Sequence, residues 1–352
     1  MEKIKNSIKE SSSILIAILM ALILGAFIMI LNGKNPILGY SALIKGAFGS
    51  KYQIATTLAK TVPLILTGLA TAISFRSGIF NIGGEGQLYL GAFAASYIGF
   101  TFTDLPAFVA IILAILFSAM VGGFYAYVPG VLKVRFGIDE VITTIMFNSI
   151  AIMFTNYLVN YPFQASKGKM GGTDMISESF KFPKLVAMSK LNTSIFYTMI
   201  IAVLVYYFIR KTSYGYNFKV IGENSLFARY AGLNNKRYMI LAMVISGALC
   251  GIAGAFEVYG THYRFLQNIS KGLAFDGMLV SLIVKNNPIG IILMSLFFAV
   301  LKTGSNAMEL NTGVPSELIL VIQSVIILFI AGENGLKEIL KRKRLTKGKL
   351  VK

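Results

Sequence analysis

Several kinds of chemistry lack material in this 352-residue sequence. It has one cysteine, Cys250, one histidine, His262, and no tryptophan. A single Cys cannot close an internal disulfide, and with one Cys and one His, zinc sites and hydrolase triads built on those residues have little material. Cys250, inside an apolar run, reads as a small packing residue. His262 reads as a solvated loop side chain. No metal site or cofactor is expected. Charge is also scarce, at 14% of residues, against roughly 25% in an average soluble domain. The 15 acids face 33 Lys and Arg, for a net charge of +18. No Gly-x-x-x-x-Gly-Lys-Ser/Thr loop occurs, so the chain has no phosphate cradle of that type with which to bind ATP.

What fills the sequence is apolar. Hydrophobic residues make up 55%, and the mean hydropathy is +0.70. A soluble fold of this length could not cover that much apolar surface, whereas a bilayer accommodates about ten spans of some 20 residues each. The expected fold is all-α, a polytopic transmembrane bundle forming one membrane domain over residues 1–352. Ten runs satisfy it: 13–31, 53–75, 87–103, 107–128, 140–158, 194–209, 238–257, 275–284, 288–302 and 316–331. The run after Lys3, Lys5 and Lys9 lacks a convincing cleavage site and is expected to be a retained first helix. The runs at 275–284 and 288–302 are short. Lys285, Asn286, Asn287 and Pro288 between them imply either two helices meeting or one broken helix, tolerated at membrane depth only where the freed backbone is buried or lines a polar cavity.

The positive charge is placed as a topology signal and not as a nucleic-acid face. Basic residues concentrate in the tail, 333–352, and in the 210–237 segment, which holds Arg210, Lys211, Lys219, Arg229, Lys236 and Arg237. Ten spans put both on the cytoplasmic side together with residues 1–12, and put 159–193 outside. The five lysines of that outer stretch count against this placement, partly offset by Asp174 and Glu178.

Three stretches carry the candidate chemistry. The first is Ser77-Gly-Ile-Phe-Asn-Ile-Gly-Gly-Glu-Gly-Gln87, whose glycines break helix between two spans. Glu85, an acid beside apolar runs, reads as a functional group or as a solvated turn residue. The second is Gly222-Glu223-Asn224-Ser225-Leu226-Phe227-Ala228-Arg229-Tyr230-Ala231-Gly232. Here Asn224 or Ser225 can cap a short helix, and Leu226, Phe227, Tyr230 and Ala231 can form its apolar face. Arg229 lies on the polar side, and Gly232 ends the helix in a left-handed turn. It reads as a knob for a partner groove or as a membrane-surface helix. The third is Gly272-Leu-Ala-Phe275-Asp276-Gly277. Like the first it is a glycine break with one acid leading into an apolar run, and the opposite orientation of the two breaks points to an inverted repeat.

Other polar residues in the spans are ambiguous. Lys60 must face protein or water, or snorkel. Asp139 and Glu140 fit a helix N-terminus. Asn148, Asn156 and Gln323 suit either a solute hydroxyl or helix packing, and Gly251 with Gly254 reads as packing. Phe80 and Phe275, each at a break, are the candidates for stacking on a base.

The first stretch closely resembles the signature of the branched-chain amino acid, ribose and nucleoside class of ABC importer permeases, and within it the nucleoside permeases that work with basic-membrane-protein-type lipoproteins. The second and third resemble the coupling segment and the Gly-x-x-Phe-Asp-Gly segment of that class. Many relatives carry Ala where this chain has Ser225-Leu226. The resemblance implies a permease and not an enzyme, working by alternating access with a separate ABC ATPase, a second permease and an extracytoplasmic solute-binding lipoprotein. It makes Gly222 to Gly232 the ATPase-coupling element, and puts Phe80, Asn81, Gly84, Glu85, Gln87, Asn148, Phe275 and Asp276 along the translocation path. The alternatives are a monosaccharide permease for ribose or galactose, or an ion-driven secondary transporter. A lipid-active enzyme would need a convergent acid/base cluster, and none is evident.

Overall fold

Long apolar runs interrupted by glycine and polar breaks dictate helices, because at membrane depth only a helix satisfies its own backbone. The computed structural model describes residues 2–166 and 171–329. It comprises α1 (Glu2–Leu31), α2 (Pro36–Phe48), α3 (Lys51–Arg76), α4 (Gly84–Thr101), α5 (Ala107–Phe136), α6 (Glu140–Asn160), α7 (Ser194–Lys211), α8 (Ser213–Glu223), α9 (Ser225–Tyr230), α10 (Asn235–Glu257), α11 (Leu273–Ile283), α12 (Pro288–Thr312) and α13 (Leu318–Phe329). Among the described residues β structure is limited to isolated bridges. Among the described residues, each of the ten expected runs coincides with a helix, the last over Leu318–Phe329. Six helices are long and apolar enough to cross a membrane: α3, α5, α6, α7, α12, and α10 with the turn after it. The basic tail 333–352 lies outside the described residues.

Two boundaries differ from expectation, and the break near residue 286 resolves as one of its two expected forms. Helix α2 was not anticipated, although its start is written locally: the Asn35 side chain accepts from the Ile37 and Leu38 amides and Pro36 occupies the first turn. Helix α12 continues ten residues past Lys302. Between α11 and α12 the chain forms two separate helices joined by Lys285 and Asn286 at φ 52° and 58°. The freed Asn286 carbonyl accepts the Arg76 guanidinium at 3.2 and 3.3 Å, which is how this break is tolerated.

Two compact units make up the chain. The first contains the described residues up to Gln53, Leu282–Val284, and those from Val300 on. In it the Tyr40 hydroxyl donates to the Leu22 carbonyl at 2.5 Å, and Gly46 packs against Gly304 and Ala307. The second unit, Ile54–Ser281 with Lys285–Ala299, carries all three glycine-rich stretches.

The second unit has the inside-out patterning of a membrane protein. On α5, Ala110, Ala114, Ser118, Gly122 and Ala126 recur every four residues and are buried, while Phe108, Ile112, Leu116 and Phe124 are exposed. Small residues inward let backbones approach, and large apolar residues outward suit lipid. Helix α10 is gripped this way on two sides. Gly247 and Gly251 lie against Gly122 and Ser118 of α5, and Gly254 lies against the Leu88 carbonyl of α4. A Cβ at position 251 would overlap the Ser118 carbonyl oxygen. Gly251→Val is therefore expected to cost about 3 kcal/mol or more, read as loss of the monodisperse detergent-solubilised species on size exclusion.

The 161–193 stretch is not the solvated loop its polarity suggests. Phe180 and Phe182 are fully buried, packed against Tyr259, and Phe182 also meets Phe256. Backbone amides of Thr173, Ile176 and Phe182 donate to the carbonyls of Phe265, Tyr263 and Tyr259. The segment thus caps the end of α10, where the chain widens into a π-turn at Val258–His262. His262, expected in solvent, sits in that turn with Nε2 3.6 Å from the Glu257 carboxylate.

Candidate functional site

The glycine break between α3 and α4 is a junction on which five other parts of the second unit converge. Four glycines between Gly78 and Gly86 interrupt the helix and leave backbone groups to be satisfied by side chains from elsewhere. The Asn81 and Gln87 side-chain amides pair with each other at 2.9 and 3.0 Å, bridging the break across its own ends. Asn81 also donates to the Ser246 hydroxyl on α10 at 2.9 Å and accepts from the Gly83 amide. From α6, Asn148 accepts from the Gly86 amide at 2.7 Å and donates to the Ile82 carbonyl at 2.9 Å. The Phe80 amide donates to Glu140, whose other carboxylate oxygen is 2.6 Å from Lys133 Nζ on α5. Asp139 beside it caps α6, accepting from the Val141 and Ile142 amides.

Glu85 is the most consequential member. Only 4% exposed, its carboxylate accepts the Gly272 amide at 2.9 Å and the Ala274 amide at 3.0 Å, at the start of α11. It thereby ties the first glycine-rich stretch to the third across 187 residues of sequence. Gly272 has φ +89°, so the turn that presents its amide needs glycine. Solvated-turn behaviour does not describe a buried, doubly bonded carboxylate. Losing it leaves two buried donors unmatched, at about 1–3 kcal/mol each. Glu85→Ala is expected to shorten the half-life of thermal inactivation in detergent sharply. Glu85→Gln, which keeps one acceptor, is expected to fall between it and the parent.

The predicted path residues divide by geometry. The polar side chains Asn81, Glu85, Gln87 and Asn148 are buried and bonded within this junction, with Gly84 packed beside Cys250 and Asp276 buried on the first turn of α11. Phe80 and Phe275 are the exposed members, at 45% and 38%, and Phe80 meets Phe75 edge-on at 4.8 Å.

The second stretch forms a short capped helix, α9, that projects an exposed apolar face. The Asn224 side chain accepts from the Phe227 amide at 2.9 Å, making Asn224 and not Ser225 the cap. Gly232 closes α9 at φ +81°. Ala228 faces inward and is fully buried, while Leu226, Phe227 and Tyr230 are exposed at 67%, 60% and 91%. One bond braces the projection from α10, Asn235 donating to the Ser225 carbonyl at 2.7 Å, while the Asn234 side chain caps α10 itself by accepting from the Arg237 amide. On α8, Asn217 donates to the Tyr238 hydroxyl at 2.8 Å.

Sequence reasoning did not foresee how projection and junction meet. Gly222, in the last turn of α8, lies directly on the backbone of Arg76 and Gly78. A Cβ there would overlap the Arg76 carbonyl oxygen. Arg76, Ser246 and Asn286 were likewise missed. Their partners lie far away in sequence, and no local pattern marks them.

Comparison with known proteins places the whole chain. Residues 53–331 match the family described as branched-chain amino acid transport system / permease component. The chain belongs to this family. Over 327 residues it is 38% identical to the guanosine ABC transporter permease protein NupP of Bacillus subtilis, covering 92% of this chain and 93% of that protein. It is 37% identical over 326 residues to the nucleoside ABC transporter permease protein NupB of Lactococcus lactis, covering 90% and 89%. A more distant relative, the guanosine ABC transporter permease protein NupQ of Bacillus subtilis, is 26% identical over 256 residues, 70% of this chain and 79% of that one. As a permease component with several spanning helices, the chain is a multi-pass membrane protein.

Proposed function

We propose that this permease forms half of the path by which an ATP-driven importer takes nucleosides across a bacterial plasma membrane. The observation that carries the reading is near-full-length relationship to two proteins named for guanosine and nucleoside transport. Residues 1–12, 210–237 and the tail face the cytoplasm, and 159–193 faces out, in keeping with the distribution of Lys and Arg. The partners are a separate ABC ATPase, a second permease and a solute-binding lipoprotein. That Bacillus subtilis has both NupP and NupQ named as guanosine permeases favours a heteromeric pair.

The division of labour follows the geometry. Leu226, Phe227 and Tyr230 of α9 seat in the ATPase, with Arg229 on the polar flank and Gly222, Glu223, Ala228, Ala231 and Gly232 shaping the element. Gly222 transmits its displacement to the junction at Arg76–Gly78, and the helices move as rigid bodies. Along the path Phe80 and Phe275 offer ring faces to a base, while Asn81, Glu85, Gln87 and Asn148 hold the breaks in shape. Uptake of radiolabelled guanosine by cells expressing the chain with its partners tests this. Uptake should stop on ATP depletion and persist in excess ribose or galactose. Competition by either sugar, or uptake that survives ATP depletion, would overturn it.

A further inference from the structure

A groove of about 770 Å³ opens beside the projection, between α5, α8 and the first half of α10. Its mouth is formed by Tyr214, Asn234, Arg237 and Tyr238, its floor by Tyr127, Ile240, Leu241 and Val244. We propose that this groove holds one anionic phospholipid, with the phosphate at Arg237 and an acyl chain along the floor.

Three features favour that occupant. The groove is amphipathic along α10: Asn234, Arg237 and Tyr238 give way to Ile240, Leu241 and Val244, with Tyr127 of α5 beside them. Arg237 is exposed, and no carboxylate among the described residues pairs with it. An adjoining recess lined by Arg229, Lys236 and Asn235 adds positive charge around the mouth, so an anion is favoured over a zwitterion. Depth separates lipid from protein. From Arg237 to Val244 the groove follows α10 for about two turns, about 10 Å of helix. That stretch belongs to a segment long and apolar enough to span, as does Tyr127 on α5. A soluble partner at the projection cannot follow the groove into the bilayer, whereas an acyl chain starts there. Tyrosines at the mouth suit the headgroup level.

The proposal rests on the cytoplasmic placement of residues 210–237. The full chain is reconstituted in phosphatidylcholine nanodiscs containing a small fraction of phosphatidylglycerol with a photoactivatable acyl chain, and adducts are mapped by mass spectrometry. Adducts should concentrate on Tyr127, Ile240, Leu241 and Val244. Unlabelled phosphatidylglycerol should displace them about fivefold better than phosphatidylcholine, the preference worth one surface cation. Arg237→Gln should abolish the preference and Arg237→Lys retain it. Equal displacement by the two lipids, adducts spread evenly over the outer faces of α5 to α7, or loss of the adducts on assembly with the ATPase would each overturn the proposal. The readout is a lipid adduct, so failure to transport nucleosides leaves it unchanged. An inverted sidedness shows separately, as labelling by probe confined to the outer leaflet of vesicles.

Discussion

Tyr230→Asp is expected to abolish ATP-driven uptake while the protein inserts, folds and purifies as the parent does. Tyr230 is 91% exposed, so no core packing is lost with it. An aromatic anchor seated in a partner groove is worth about 2 kcal/mol or more, which weakens ATPase association roughly thirtyfold. Pull-down of the ATPase with the tagged permease measures this. Gly232→Pro should produce the same result by another route. At φ +81° proline cannot be accommodated, and the substitution removes the amide that donates to the Arg229 carbonyl at 3.1 Å. A Tyr230→Asp permease that still recruits the ATPase would detach coupling from α9.

Gly222→Val should give the complementary defect. The added side chain cannot occupy the space of the Arg76 carbonyl, so the end of α8 must move off the backbone at Arg76–Gly78. The surface of α9 is untouched. ATPase association is therefore expected to persist, while guanosine taken up per ATP hydrolysed in proteoliposomes falls by about tenfold or more, as a loss of about 1.4 kcal/mol of coupling between the two sites would bring. Loss of association equal to that of Tyr230→Asp would mean that Gly222 shapes the projection and does not transmit from it.

Local signals were legible wherever a residue acts on its near neighbours. The Asp139 cap, the left-handed turn at Gly232 and the small-residue packing of Gly251 and Gly254 all follow from spacing of a few residues. Membrane architecture was legible because long apolar runs have one solution in lipid. What escaped depends on chain separation or on context. Glu85 reads locally as an acid in a turn, and only the fold brings the Gly272 and Ala274 amides to it. The 159–193 segment reads as an outward-facing loop rich in Lys, Ser and Gly, and nothing local shows that Phe180 and Phe182 pack against Tyr259. Helix α2 escaped because Gly39, Tyr40 and Lys45 interrupt its apolar run, although Asn35-Pro36 announces its start.

The two glycine breaks illustrate a division between holding and touching. Asn81 with Gln87, and Asn148 with the Ile82 and Gly86 backbone, spend their hydrogen-bonding groups on the protein itself. Polar side chains in a membrane protein are costly unless matched, and here matching them fixes where two helices begin. In the proposed function, recognition of a base falls to the exposed rings of Phe80 and Phe275 and not to these buried amides.

Sidedness of α9 is where projection, partner and direction of force all meet. Cys250 is fully buried, so the parent chain supplies a silent background for thiol labelling. Arg229→Cys, on exposed α9, is treated with a membrane-impermeant maleimide in intact cells and in inside-out vesicles. Labelling confined to the inside-out vesicles is the predicted result. Labelling in intact cells would place α9 on the outer surface, beyond reach of any ATPase.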